Sequence, residues 1–143
     1  MNRLIFPDVN VWLALVYERH VHHPIAAQWY EGLESFTTLV FCRHTQLGLF
    51  RLLSTESVMM QDVLNQRQCW EAYDPWIESG LAFVAQEPAG LEETMRGQSC
   101  EGSAFPKAWA DAYLAAFAEA GNLTLVTMDR ALAAKVRGAV LLL

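Results

Sequence analysis

The chain states one phrase twice. Near its start, LIFPDVNVWLAL (residues 4–15) runs a short apolar stretch into a lone acid, Asp8, and resumes at once as a second apolar stretch. Near its end, LTLVTMDRALAA (residues 123–134) does the same around Asp129. A run of strand formers that stops on aspartate and continues at helical spacing reads as strand, N-cap, helix. In open parallel sheets the functional crevice lies at the carboxyl ends of the strands. Two such units therefore bring two carboxylates to one edge of a sheet. If the two strands are neighbours, roughly 5 Å apart, the acids can share a cation.

The segments between alternate in the same manner. Residues 3–7 form the first strand, and Val9, Trp12, Leu13 and Val16 give the following helix its buried face before the polar cluster ERHVHH. Pro24 suits the first turn of a second helix carrying Ile25, Trp29 and Leu33. FTTLVFC is the second strand and HTQLGLFRLLS its helix; residues 58–79 read as a helical pair broken at Asp74-Pro75. LAFVA is a third strand, and GLEETMRGQSCEGSAF a short helix followed by an exposed loop. From Pro106 a helix runs through KAWADAYLAAFAEAG to a stop at Gly121-Asn122. LTLVT, a helix from Asp129 and the strand AVLLL complete the chain. Alternating strands and helices predict an α/β fold: one domain over residues 1–143, with a central, mostly parallel five-stranded sheet flanked by helices.

At 143 residues and 53% hydrophobic, the chain can bury a core of its own and is not disordered. No apolar run approaches the roughly 18 residues of a membrane helix, and the N-terminus has no signal-peptide pattern. Cys42, Cys69 and Cys100 are odd in number and widely spaced, which fits reduced thiols better than a disulfide frame or zinc site. A cytoplasmic protein without membrane attachment is expected. The net charge of −6 argues against a broadly basic nucleic-acid face. It leaves room for a nuclease, because clustered carboxylates raise the negative count where a divalent metal offsets them.

A third acid, Asp111, lies in AWADAYLAAF, where nearly every neighbour is apolar. Each acid also has a structural role open to it. Asp8 and Asp129 can cap helices, and Asp111 can pair with Lys107 four residues earlier. Three such coincidences are harder to accept together than one shared site.

These motifs, in order and spacing, resemble the PIN-domain ribonucleases of the VapC type, the toxin half of toxin–antitoxin pairs. FPDVNVWLAL corresponds to the opening strand–Asp–helix motif, WADAYLAAFA to the D-A-x-x-A-A helix motif, and LVTMDRAL to the T-x-D motif. The resemblance extends from end to end. It implies a negatively charged pocket holding Mg²⁺ or Mn²⁺, with Asp8, Asp111 and Asp129 as metal-site and catalytic acids. It also implies endonucleolytic hydrolysis of RNA, a homodimer, and a small VapB-like antitoxin that blocks the groove.

The chain departs from that pattern at two places. The family's Glu three residues before an Arg, on the helix after the second strand, is here Gly48, counting back from Arg51. An acid common two places after the last motif Asp is here Ala131. A pocket depleted of charge would bind metal more weakly, or persist as a non-catalytic RNA- or protein-binding module. Gln46, Asn10 and Thr127 are candidate supports for an acid or a metal-held water. Arg51, Lys107 and Arg130, with Arg96, are candidate phosphate contacts. His20, His22 and His23 have no zinc-enzyme spacing and read as a solvated loop. The five tryptophans, Trp12, Trp29, Trp70, Trp76 and Trp109, read as core or dimer packing. A phosphoryl-accepting receiver domain is set aside, because it needs an adjacent acid pair after the first strand and FPDVN offers one acid.

Overall fold

A computed structural model describes residues 2–100 and 102–143 of the chain. The strands are β1 (Arg3–Pro7), β2 (Thr37–Phe41), β3 (Ala82–Val84), β4 (Thr124–Thr127) and β5 (Val140–Leu141). They form one sheet in the order β3-β2-β1-β4-β5, and every pairing is parallel. The helices are α1 (Val9–Val16), α2 (His23–Glu31), α3 (Arg43–Leu53), α4 (Glu56–Met59), α5 (Gln66–Glu78), α6 (Leu91–Gln98), α7 (Ala108–Ala120) and α8 (Arg130–Ala133).

Both faces of the sheet are covered, and alternate strand residues show how. Ile5, Leu39, Phe41 and Val126 point to one side, where they meet α1, α2, α3 and α5 through Trp12, Ala26, Leu49 and Tyr73. Phe6, Val40 and Leu125 point to the other, against α6, α7 and α8 through Leu91, Phe117 and Leu132. A strand buried on both faces needs apolar residues at successive positions. That is why the strand sequences read as continuous runs rather than as alternation. Trp12, fully buried, lies flat on Phe41 with ring centroids 3.8 Å apart and receives the edge of Trp76. Trp70 and Trp109 do not follow the core expectation: they are 49% and 61% exposed.

The expected helical pair breaks elsewhere. The interruption falls after α4, where Met60 takes a positive φ of 53° and a 3-10 turn (Met60–Asp62) leads to the Asn65 N-cap of α5. Pro75 lies inside α5. Proline removes one helix hydrogen bond and crowds the carbonyl four residues back. The helix nevertheless persists, because Tyr73 packs on Phe41 at 5.1 Å and Trp76 on Trp12 at 5.4 Å, one on either side of the defect.

Candidate active site

β1 is the central strand, with β4 beside it in the register Ile5–Thr124, Phe6–Leu125, Pro7–Val126. Both chains leave the sheet at the same edge. The Asp8 N–H still donates to the Val126 carbonyl at 2.9 Å, so the first acid is tied to β4 through its own backbone.

Asp8 is 5% exposed. It is the N-cap of α1, and its Oδ1 accepts from the Asn10 and Val11 amides at 3.1 and 3.3 Å. The hydroxyl of Thr127 donates to Oδ2. The same Thr127 oxygen accepts from the Asp129 N–H at 3.0 Å. One fully buried hydroxyl therefore links the two strand-end acids, and its hydrogen-bond direction favours an ionised Asp8. Burial acts the other way and raises the Asp8 pKa above the ordinary carboxylate value of 3.8. Hydrogen bonds from Thr127, Val11 and Asn10 offset part of that, while the negative charge of Asp129 adds to it.

Asp129 caps α8 in the same fashion, with Oδ1 accepting from Ala131 at 2.8 Å and Leu132 at 3.2 Å. Unlike Asp8 it is exposed, and among the described residues only its Oδ1 is engaged in hydrogen bonds. Asp111, in the first turn of α7, is half-buried. Desolvation is the larger cause of its raised pKa; Asp129 again contributes repulsion, and Lys135 opposes it. Asp129 is thus the acid felt by both of the others. Lys107 forms no ion pair with Asp111 among the described residues. The cation that Asp111 feels, Lys135, was not singled out from the sequence. It lies just beyond α8, and only the fold brings it to α7.

Cap and ligand were alternatives in the sequence, and the structure shows two of the acids capping helices at the sheet's carboxyl edge. The donors are hard oxygens, two of them on carboxyls whose pKa values are raised by desolvation first and by the charge of Asp129 in addition, which fits Mg²⁺ or Mn²⁺ in kind. Among the described residues no three His, Cys, Asp or Glu side chains gather closely enough to enclose an ion unaided. Thr127 joins Asp8 to Asp129, and Asp111 is tied to the pair only through the charge of Asp129.

The remaining expected residues divide. Thr127 is at the centre of the site. Asn10 serves Asp8 through its backbone N–H, and its side chain is exposed. Gln46 is buried, but its Oε1 accepts from Arg43 and its amide meets Tyr73, so neither group is turned to an acid. Arg51 is exposed on the last turn of α3, Arg130 is exposed as the first residue of α8, and Lys107 is exposed at the N-cap of α7. His23 Nδ1 lies 2.6 Å from the Ala14 carbonyl, and His20 Nδ1 accepts from the His22 amide, within a turn rather than a metal cluster.

Position 48 is tightly enclosed. A Cβ on Gly48 would stand 2.7 Å from Cγ2 and 3.1 Å from Cγ1 of Val9, the residue next to Asp8. The close approach of α1 and α3 occupies the space that a side chain at position 48 would need.

An all-parallel five-stranded sheet with acids at the carboxyl ends of two adjacent strands defines a class, and a family model agrees. The PIN domain model matches residues 5–138, and the chain belongs to the PIN-domain family. Among relatives, it is 38% identical over 132 residues to Ribonuclease VapC41 of Mycobacterium tuberculosis, covering 90% of each chain. It is 33% identical over 129 residues to Ribonuclease VapC29 of the same organism, covering 88% of this chain and 86% of that one. Solved structures agree on the fold. VapC20 of M. tuberculosis, described as a Sarcin-Ricin loop cleaving toxin, superposes with a TM-score of 0.65 at 18% identity, covering 91% of this chain and 93% of that one. FitAcB of Neisseria gonorrhoeae superposes with a TM-score of 0.56 at 19% identity, covering 96% of each.

Proposed function

We propose that this protein is a metal-dependent endoribonuclease, the toxin of a VapBC-type pair, and that it hydrolyses RNA phosphodiester bonds at the Asp8–Asp111–Asp129 edge. The observation that carries the reading is the Thr127 hydroxyl joined to both Asp8 and the Asp129 backbone, at the mouth of two adjacent parallel strands. The two VapC ribonuclease relatives, matched over most of their length, support the reaction. Mg²⁺ or Mn²⁺ bound there would supply Lewis-acid polarisation of the phosphate and an activated water. The protein's own contribution is orientation. Asp8 is fixed by two amides and a hydroxyl, Asp129 is held by its cap through Oδ1, and Asp111 adds charge from α7; these three would hold the ion. The likeness to VapC ribonucleases extends the proposal to an antitoxin partner, to its covering this edge, and to a homodimer.

A non-catalytic PIN module is the second reading, and Gly48 favours it, because Val9 fills the place of the family's fourth acid. Cleavage decides between them. Purified free of antitoxin, the parent should cut RNA with Mg²⁺ or Mn²⁺ and stop with EDTA. Asp8→Asn, which retains a good cap residue, should fold and neither cut RNA nor inhibit growth. An Asp8→Asn variant as toxic as the parent would remove catalysis from the account.

A further inference from the structure

Beside Asp111 lies a groove that the acids do not explain. Its cavity of about 920 Å³ is walled by the end of α6, the loop before α7, α7 itself, and α8 with the turn after it, and Asp111 is among the residues that line it. Two aromatic side chains line it, Phe105 at 56% and Trp109 at 61% exposure. Large apolar side chains exposed together in one groove mark a place where a ligand or partner can bind. The chain contains two lysines in 143 residues, Lys107 and Lys135, and both line this same groove. In a chain of net charge −6, that placement concentrates flexible ammonium groups where the aromatics are.

We infer that this groove is a stacking subsite for an unpaired base of the RNA substrate, with Trp109 and Phe105 taking the base and Lys107 and Lys135 the adjoining phosphates. The inference rests on the ribonuclease reading and names where its substrate sits. Single-stranded RNA is held by aromatic faces for its bases and cations for its backbone, and lysine meets phosphate as a mobile point charge. Asp111 lines the groove, so a nucleotide stacked there lies next to that acid. The groove also favours unpaired RNA, since a base locked in a duplex has no free face to present.

The test is anisotropy of a short fluorescein-labelled oligoadenylate, and of its counterpart with abasic riboses, in EDTA so that nothing is cut. Trp109→Ala should weaken oligoadenylate binding roughly tenfold, about 1.4 kcal/mol, with Trp109→Phe close to the parent. Binding of the abasic oligomer should be indifferent to both changes. Lys135→Gln should weaken both oligomers alike and lower the salt dependence by about one phosphate contact. Equal oligoadenylate affinity for parent and Trp109→Ala overturns the subsite. If RNA cleavage with Mn²⁺ persists in that case, the ribonuclease reading survives without it. A parent that neither binds oligoadenylate nor cuts RNA removes both. A Trp109→Ala variant that changes mass by light scattering, with oligoadenylate affinity unaltered, assigns the groove to a protein interface and also overturns the inference.

Discussion

Adding one carbon at position 48 tests the contact between α1 and α3. In Gly48→Ala, the new Cβ meets both methyl groups of Val9, at 2.7 and 3.1 Å. Val9 is β-branched and stiff at χ1, so relief comes mainly from the helices moving apart. Overpacking of this kind costs about 1–3 kcal/mol. Against it, replacing glycine within a helix gains roughly 0.5–1 kcal/mol. The net is a loss of about 1 kcal/mol, or a fall in Tm of about 3 °C for a chain of this size. Val9 is only half-buried, which makes Val9→Ala a tolerable background in which the two offending methyls are gone. There the same Gly48→Ala change should raise Tm by about 2 °C. Thermal unfolding of the parent, both single variants and the double variant gives the coupling directly. Equal shifts in the two backgrounds would refute the reasoning, because they would mean that Val9 does not set the cost at position 48.

The remaining predictions are shorter. Gly48→Glu should restore the family's fourth acid usefully only alongside Val9→Ala, lowering the Mn²⁺ concentration for half-maximal RNA cleavage; an unchanged midpoint in a well-folded double variant would mean that position 48 does not face the ion. Thr127→Val keeps shape but removes the hydroxyl between Asp8 and Asp129, so the Mn²⁺ requirement should rise, and a parent-like titration would contradict the link. Trp12→Ala should cost about 3–5 kcal/mol by urea unfolding; Trp12→Phe should cost far less, since the indole N–H has no acceptor among the described residues. His44 edges onto Tyr113 at 5.8 Å, and desolvation, followed by Arg51, lowers its pKa below 6.5. The fold therefore prefers the neutral ring; its contribution is full above pH 6.5 and is lost as pH falls through the lowered folded value. His44→Gln should flatten that acid-side loss in a Tm–pH series.

Residues whose environment is set locally could be read in the sequence. The five strands were legible as apolar runs, and Asp8 and Asp129 as caps, because a run of β-formers and an acid before a helical period each carry their own signal. What escaped was decided by partners distant in the chain. Pro75 stays inside α5 because Phe41 and Trp12 hold the residues around it, and neither is visible from positions 74 and 75. Gln46 looked free to help an acid, yet Arg43 and Tyr73 take its amide. Gly48 showed that an acid was missing, but not that Val9 had closed the space. Lys135 had no local mark, since its link to Asp111 arises only when α7 and the turn after α8 pack together.

The hydroxyl bridge joins residues 119 positions apart, Asp8 from the first strand to be made and Thr127 from almost the last. This sets a clock on completion of the site. While a ribosome is still extending the chain, α1 can form with Asp8 as its cap, but its partner acid and the strand that holds it do not yet exist. A product truncated anywhere before β4 has one aspartate of the strand-end pair and no second, whatever else of it folds. On the proposed reading, a ribonuclease built in this order would be harmless to the machinery making it until synthesis is nearly done.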